Sequence, residues 1–163
     1  MEADFIQFIS AHPRIIQKVC RLYGRDEEGW KDLYQEIVLQ LWRAFPTYRR
    51  ESQISTWMYR IALNTAISLY RHEGRRIAPV KLEDNFLTEP QSPATSEPDE
   101  RIEQFYAAVD HLSPIEKALV FLYVDDNSYE EIARIMGISP SNVGVKLNRI
   151  KGKLKRIVAL TNQ

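Results

Sequence analysis

The densest chemistry-bearing pattern lies toward the C-terminal end. Lys146, Arg149, Lys153 and Arg156 recur at spacings of three, four and three, joined by Lys151 and Lys155. Residues 132–163 carry seven Lys and Arg and no Asp or Glu. A row of cations on one helical face neutralises phosphates, which supplies much of the affinity of any nucleic-acid binder. Ser141, Asn142, Gly144, Val145 and Asn148 lie among the first of these cations. The Asn142 and Arg149 side chains can read base edges, whereas Gly144 and Val145 offer only backbone or apolar contact. An ordinary solvated basic face would carry the same charges, so the preceding residues decide between the two. Ser128 and Glu131 have capping-box spacing, Gly137 supplies the positive φ of a turn, and Ile138 fills the gap behind it. Ile132 and Ala133 face inward, and the small Ala133 allows a close helix crossing. Ser139-Pro140 then opens a helix to about Leu160, with Val143, Leu147, Ile150, Leu154 and Ile157 as its apolar stripe. The whole is a helix-turn-helix, whose second helix enters the major groove.

Helical periodicity also governs the rest of the chain. From Asp32, Leu33, Ile37, Leu41 and Phe45 recur at spacing four, with Tyr34, Val38 and Trp42 on an adjoining stripe, until Pro46 stops the helix. Ser55-Thr56 is read as the cap of a helix from Trp57 to about His72. Phe5 to Tyr23 reads as helical, interrupted at Pro13 and closed at Gly24. The run LTEPQSPATSEPDE holds three of the eight prolines and reads as a flexible linker. Helices resume over Glu100–His111 and Ser113–Val124. The expected fold is all-α, with two small helical domains, residues 1–76 and 99–163, joined by a flexible linker at 77–98.

Composition narrows the function classes. Apolar residues are 44% of the 163, enough for real cores. No run approaches the roughly 18–20 apolar residues that span a bilayer. MEADFIQFIS starts acidic rather than basic-then-apolar, so a cytoplasmic protein without a secretory leader is expected. The lone cysteine, Cys20, reads as a small buried hydrophobe, and the three His have no metal-site spacing. Neither a metal nor another cofactor is expected. The formal net charge of zero conceals an acidic middle: residues 81–131 hold 13 acids against 3 bases. Two basic regions flank it, which suggests two anion-binding places.

Residues 32–45, DLYQEIVLQLWRAF, and 54–71, ISTWMYRIALNTAISLYR, followed by GRR at 74–76, closely resemble region 2 of the extracytoplasmic-function sigma factors of bacterial RNA polymerase. LSPIEKALVFLYVDDNSYEEIARIMGIS (112–139) resembles region 4 of the same family. The resemblance covers nearly the whole chain, in order, around a variable linker. It implies a protein that directs core polymerase to promoters. The helix bearing D-L-x-Q-E would dock on the clamp helices of the polymerase largest subunit, which carries over to Asp32, Leu33, Gln35 and Glu36, with Leu39, Gln40 and Trp42 nearby. An apolar strip edged by carboxylate and amide groups suits such an interface, although Leu33, Ile37 and Leu41 also read simply as core. The following loop and helix would open the upstream melted element, with a base flipped into a pocket formed by residues 46–54 and Asn64. Trp57, Tyr59 and Arg60 belong to that motif, and Tyr48, Arg49, Arg50, Arg71, Arg75 and Arg76 would line the strand's path. Aromatic rings interleaved with arginines suit a single strand, because every base has a π-face and every nucleotide a charge. Trp57 and Tyr59 read equally as core aromatics, and Asn64 as a surface amide. Ser141, Asn142, Gly144, Val145, Lys146, Asn148, Arg149 and Lys153 would bind the more distant promoter element. Many family members have Lys or Arg where Gly144 stands and Ser where Val145 stands, so that element should be read differently here. Implied partners are core polymerase (clamp helices and flap), promoter DNA and an anti-sigma factor, often membrane-anchored.

Two other classes compete with this reading. A stand-alone helix-turn-helix regulator would dimerise on a palindromic site. It leaves the D-L-x-Q-E and Trp-Tyr-Arg helices unexplained, and a free monomer is expected instead. An enzyme would need work for Asp125-Asp126 and Glu130-Glu131. These lie around a turn with no companion His or Gly-rich phosphate loop, and capping accounts for Glu131, so no catalytic residue is expected.

Overall fold

The computed structural model describes the backbone of residues 1–76 and 100–161 and the side chains of 1–71 and 100–160. The expected linker at 77–98 lies outside the described residues. Two compact units, Met1–Ala94 and Thr95–Gln163, divide the chain. Among the described residues every regular element is helical.

In the first unit α1 (Glu2–Ala11) and α2 (Pro13–Tyr23) meet at His12, with Pro13 at the start of α2. Proline is tolerated there because the first amides of a helix have no intrahelical partner. Ile15, Ile16, Val19, Cys20, Leu22 and Tyr23 are buried along α2. Burial pushes the Cys20 thiol up to about 12, so at neutral pH it is an inert apolar group. Gly24 ends α2 with an ordinary φ of −75°. Its glycine is required by close approach: a Cβ there would lie 2.7 Å from the Cys20 carbonyl oxygen and 3.0 Å from the Trp30 backbone.

α3 (Glu27–Ala44) starts five residues before the expected Asp32. The Asp26 carboxylate accepts from the Gly29 amide at 2.6 Å, and Glu27 and Glu28 complement the helix dipole. The apolar stripe does not register this polar first turn. A 3₁₀ turn, Phe45–Thr47, follows around Pro46, and α4 runs from Ile54 to Arg76. Ser55 and Thr56 therefore lie inside the first turn of α4 rather than capping it, and the Trp57 amide donates to the Gln53 carbonyl. α2, α3 and α4 pack on one another. Ile16, Val19, Ile37, Leu41, Met58, Ala62 and Leu63 form the centre of that core.

The second unit holds α5 (Glu100–Val109), α6 (Pro114–Val124), α7 (Tyr129–Met136) and α8 (Pro140–Thr161). Ser113 and Glu116 form a full capping box at α6. At α7 the Ser128 hydroxyl accepts from the Glu131 amide at 3.1 Å. Gly137 closes α7 at φ +72°, the left-handed conformation expected of it. Val109, Leu119, Leu122, Ile132, Val143, Leu147 and Ile150 fill the core. Lys117 is also buried, 3.3 Å from the exposed Asp110 carboxylate.

Candidate polymerase and nucleic-acid interfaces

α3 presents two distinct flanks outside the core. Leu33, expected at the partner surface, is buried with Ile37 and Leu41 and serves packing. Asp32, Glu36 and Gln40 form a row at spacing four, with the Gln40 amide donating to the Glu36 carboxylate at 3.0 Å. Gln35, Leu39 and Trp42 lie around the helix from that row. They border a groove of about 400 Å³ between α1 and α3, completed by Glu2, Phe5, Ile6, Tyr34 and Val38. Ile6 is 57% exposed, and Leu39 and Trp42 each 38%. Trp42 is held edge-on by Phe5, ring centroids 5.0 Å apart. The α1 half of this groove was not apparent from sequence. Only the apolar pairs Phe5-Ile6 and Phe8-Ile9 hint at it, and which of each pair faces out is a tertiary decision.

The loop between α3 and α4 is closed on itself. The Tyr48 hydroxyl donates to the Ser52 carbonyl at 3.0 Å, and Arg50 sits at its tip with φ +59°. A left-handed arginine costs about 1–2 kcal/mol, which the surrounding turn must hold in place. Tyr48 lies against Trp57 at 4.7 Å, and Phe8 meets both rings. Trp57 is thus half-buried in an aromatic cluster with one side toward the loop. Arg49 and Arg50 are exposed on the loop, and Arg60, Asn64 and Arg71 are exposed on α4. With Ser68, the three α4 residues form one polar row at spacings of four, four and three. Tyr59 departs from the expectation. It is only 5% exposed, next to buried Met58, and belongs to the core rather than to a strand's path. Arg75 and Arg76 end α4, with side chains outside the described residues.

In the second unit the Ser139 hydroxyl accepts from the Asn142 amide at 3.2 Å and fixes the start of α8. Ser141, Asn142, Val145, Asn148 and Arg149 are exposed, and Gly144 and Lys146 are half-buried. Lys153, expected among the DNA contacts, is exposed and also pairs within the unit. Its ammonium lies 2.7 Å from the Glu116 carboxylate, whose other oxygen accepts from the Ser113 amide. Desolvation pushes the Glu116 carboxyl up, but the hydrogen bonds from Lys153 and Ser113 outweigh it and hold the group below the usual range. Lys151 lies 4.5 Å over the Tyr123 ring. Lys151 and Lys153 therefore tie α8 to α6, whereas Arg149, Lys155 and Arg156 are exposed. The acid pairs imagined for an enzyme are turn and cap residues. Asp126 takes φ +64° in the turn after α6, and the Glu131 amide is held by Ser128.

The described residues thus hold a helix-turn-helix in one unit and a helical bundle with an aromatic-arginine face in the other. Residues 8–76 match the Sigma-70 region 2 family and residues 102–154 the Sigma-70 region 4 family. The chain is 30% identical over 131 residues to the ECF RNA polymerase sigma-E factor of Escherichia coli, covering 74% of this chain and 69% of that protein. It is 26% identical over 161 residues to the ECF RNA polymerase sigma factor SigM of Mycobacterium tuberculosis, covering 97% and 79%. The chain belongs to the ECF RNA polymerase sigma factors. Its fold is shared by the sigma factor RpoE of Bartonella quintana, solved with the anti-sigma factor NepR (TM-score 0.71, 22% identity, 96% of this chain and 97% of that one). It is also shared by CnrH, solved with the cytosolic domain of CnrY (TM-score 0.68, 18% identity, 98% and 90%).

Proposed function

We propose that the chain binds core RNA polymerase through α3 and directs it to promoters held by its two units. The observation that carries this is the occurrence, in order on one chain, of a region 2 match containing the α3 groove and a region 4 match containing the helix-turn-helix. Gln35, Leu39 and Trp42, with the Asp32–Glu36–Gln40 row beside them, offer an apolar strip with polar edges. That composition suits a helix of a protein partner. The Arg60–Asn64–Ser68–Arg71 row and the Tyr48–Trp57 rings suit the melted strand, with cations for phosphates and rings for stacking. Ser141, Asn142, Val145, Asn148 and Arg149 suit the duplex of the more distant element. Residues 1–163 act without catalysis, in the cytoplasm, and polymerase supplies the chemistry.

The RpoE structure holds the anti-sigma factor NepR, and the CnrH structure holds the cytosolic domain of CnrY. An anti-sigma partner is accordingly proposed for this chain, competing for the polymerase-binding surface. The stand-alone regulator is not favoured, because it gives α3 and the α4 row no purpose.

The test is co-elution of the chain with purified core polymerase. The wild-type chain should co-elute, whereas Leu39→Ala/Trp42→Ala should bind at least about tenfold more weakly, the scale of losing interface anchors of about 1–2 kcal/mol. Unchanged binding by a folded double variant would move the interface off α3.

A further inference from the structure

We propose that Val145 reads the 5-methyl group of a thymine in the major groove, so that the upstream promoter element of this sigma factor is selected partly by a thymine methyl. The inference rests on α8 being the recognition helix, as proposed above. On α8, Val143, Leu147 and Ile150 are buried and mark the core side. With about 100° between successive residues, the opposite side falls on Ser141, Val145, Asn148 and Gly152. Val145 is at its centre and 50% exposed. It is an apolar side chain presented outward on a segment whose charges are all positive.

Its neighbours give it access. Ser141, Asn148 and Gly152, which share the middle of this face with Val145, are all short, and the long Arg149 stands at its flank. A valine reaches only two bonds beyond its Cα, so it can touch a base only where the helix sits this deep. The one apolar group on a major-groove base edge is the thymine methyl, and small apolar side chains are its usual partners. Asn142 and Arg149, on the flank of the same face, remain available for polar edges and phosphates.

The test uses holoenzyme assembled from the full chain and purified core polymerase. Promoters are selected by transcription from a library randomised in the upstream element. Each thymine of the best element is then replaced in turn by deoxyuridine, which removes the methyl and preserves pairing and groove hydrogen bonds. One or two positions should lose about fourfold in open-complex formation, the effect of exposing one buried methyl-sized group. V145A, whose side chain ends one bond short of valine's, should show a smaller penalty than wild type at those positions and should match wild type on the deoxyuridine template. The half-exposed site lets Ala keep the helix, which an unchanged circular dichroism spectrum would verify. A flat deoxyuridine scan with the wild-type chain overturns the inference while leaving the sigma role intact. The same penalty persisting in V145A also overturns it and assigns the methyl to another residue. Absence of any transcript sinks the sigma reading and this inference together.

Discussion

Asn64 projects from α4 between Arg60 and Arg71, clear of the core, so removing its amide alters the surface without opening a cavity. Asn64→Ala should leave co-elution with core polymerase unchanged and reduce promoter-specific transcription about tenfold or more, the scale of one good base contact. Full activity of that variant would put base reading elsewhere. Not every aromatic or cation with the right type is at such a surface. Tyr59 and Trp57 sit in one motif, yet Tyr59 is in the core and Trp57 is shared between core and loop. The helical period alone does not separate them, because α2 and α3 both pack on α4 and widen its buried face. Lys153 is exposed but has a tertiary partner that the period does not show. Its position on a basic stripe is legible, but its partner Glu116 is 37 residues away and emerges only once α6 and α8 are packed. Cys20, by contrast, is legible as a buried hydrophobe because its neighbours Ile16, Val19 and Tyr23 share its stripe.

At the scale of elements, the Lys153–Glu116 pair joins the middle of α8 to the first turn of α6. Glu116 is held below its ordinary range, so its contribution to stability is complete above that range and is lost as pH falls through its folded value. Lys153→Met should therefore lower the urea midpoint of the protein near neutral pH, and the gap from wild type should close as pH falls through the lowered range of Glu116. A gap independent of pH would mean the lysine acts by packing alone. The turn between α7 and α8 depends on Gly137. Gly137→Ala forces a Cβ into the left-handed region and should cost about 1–2 kcal/mol, read as a lower melting temperature. An unchanged melting temperature would show that the turn relaxes at no cost. This turn was fully legible, because a glycine at the junction of two apolar-periodic runs is the residue best able to end a helix in the left-handed region. The ends of α3 and α4 were not. Their extra turns are polar, held by Asp26 at one end and by backbone bonds at the other, and a hydrophobic stripe leaves such turns unmarked.

For the whole molecule, charge and function are linked. The net charge of zero combines a basic recognition segment with an acidic middle, so the free chain should have little general attraction for DNA. The proposed function accordingly predicts promoter binding only in the complex with polymerase, where the proposed α3 surface and DNA-facing rows would act together. The two-unit helical organisation was readable from periodicity and from the composition change between the units. The groove between α1 and α3 was not, because it is made by two helices meeting rather than by either sequence. The most direct test of the central claim is run-off transcription by purified core polymerase, with and without the chain, on fragmented DNA of the source genome. Discrete transcripts that appear only when the chain is added are the predicted result. The contradicting result is a chain that neither associates with core polymerase nor yields any such transcript.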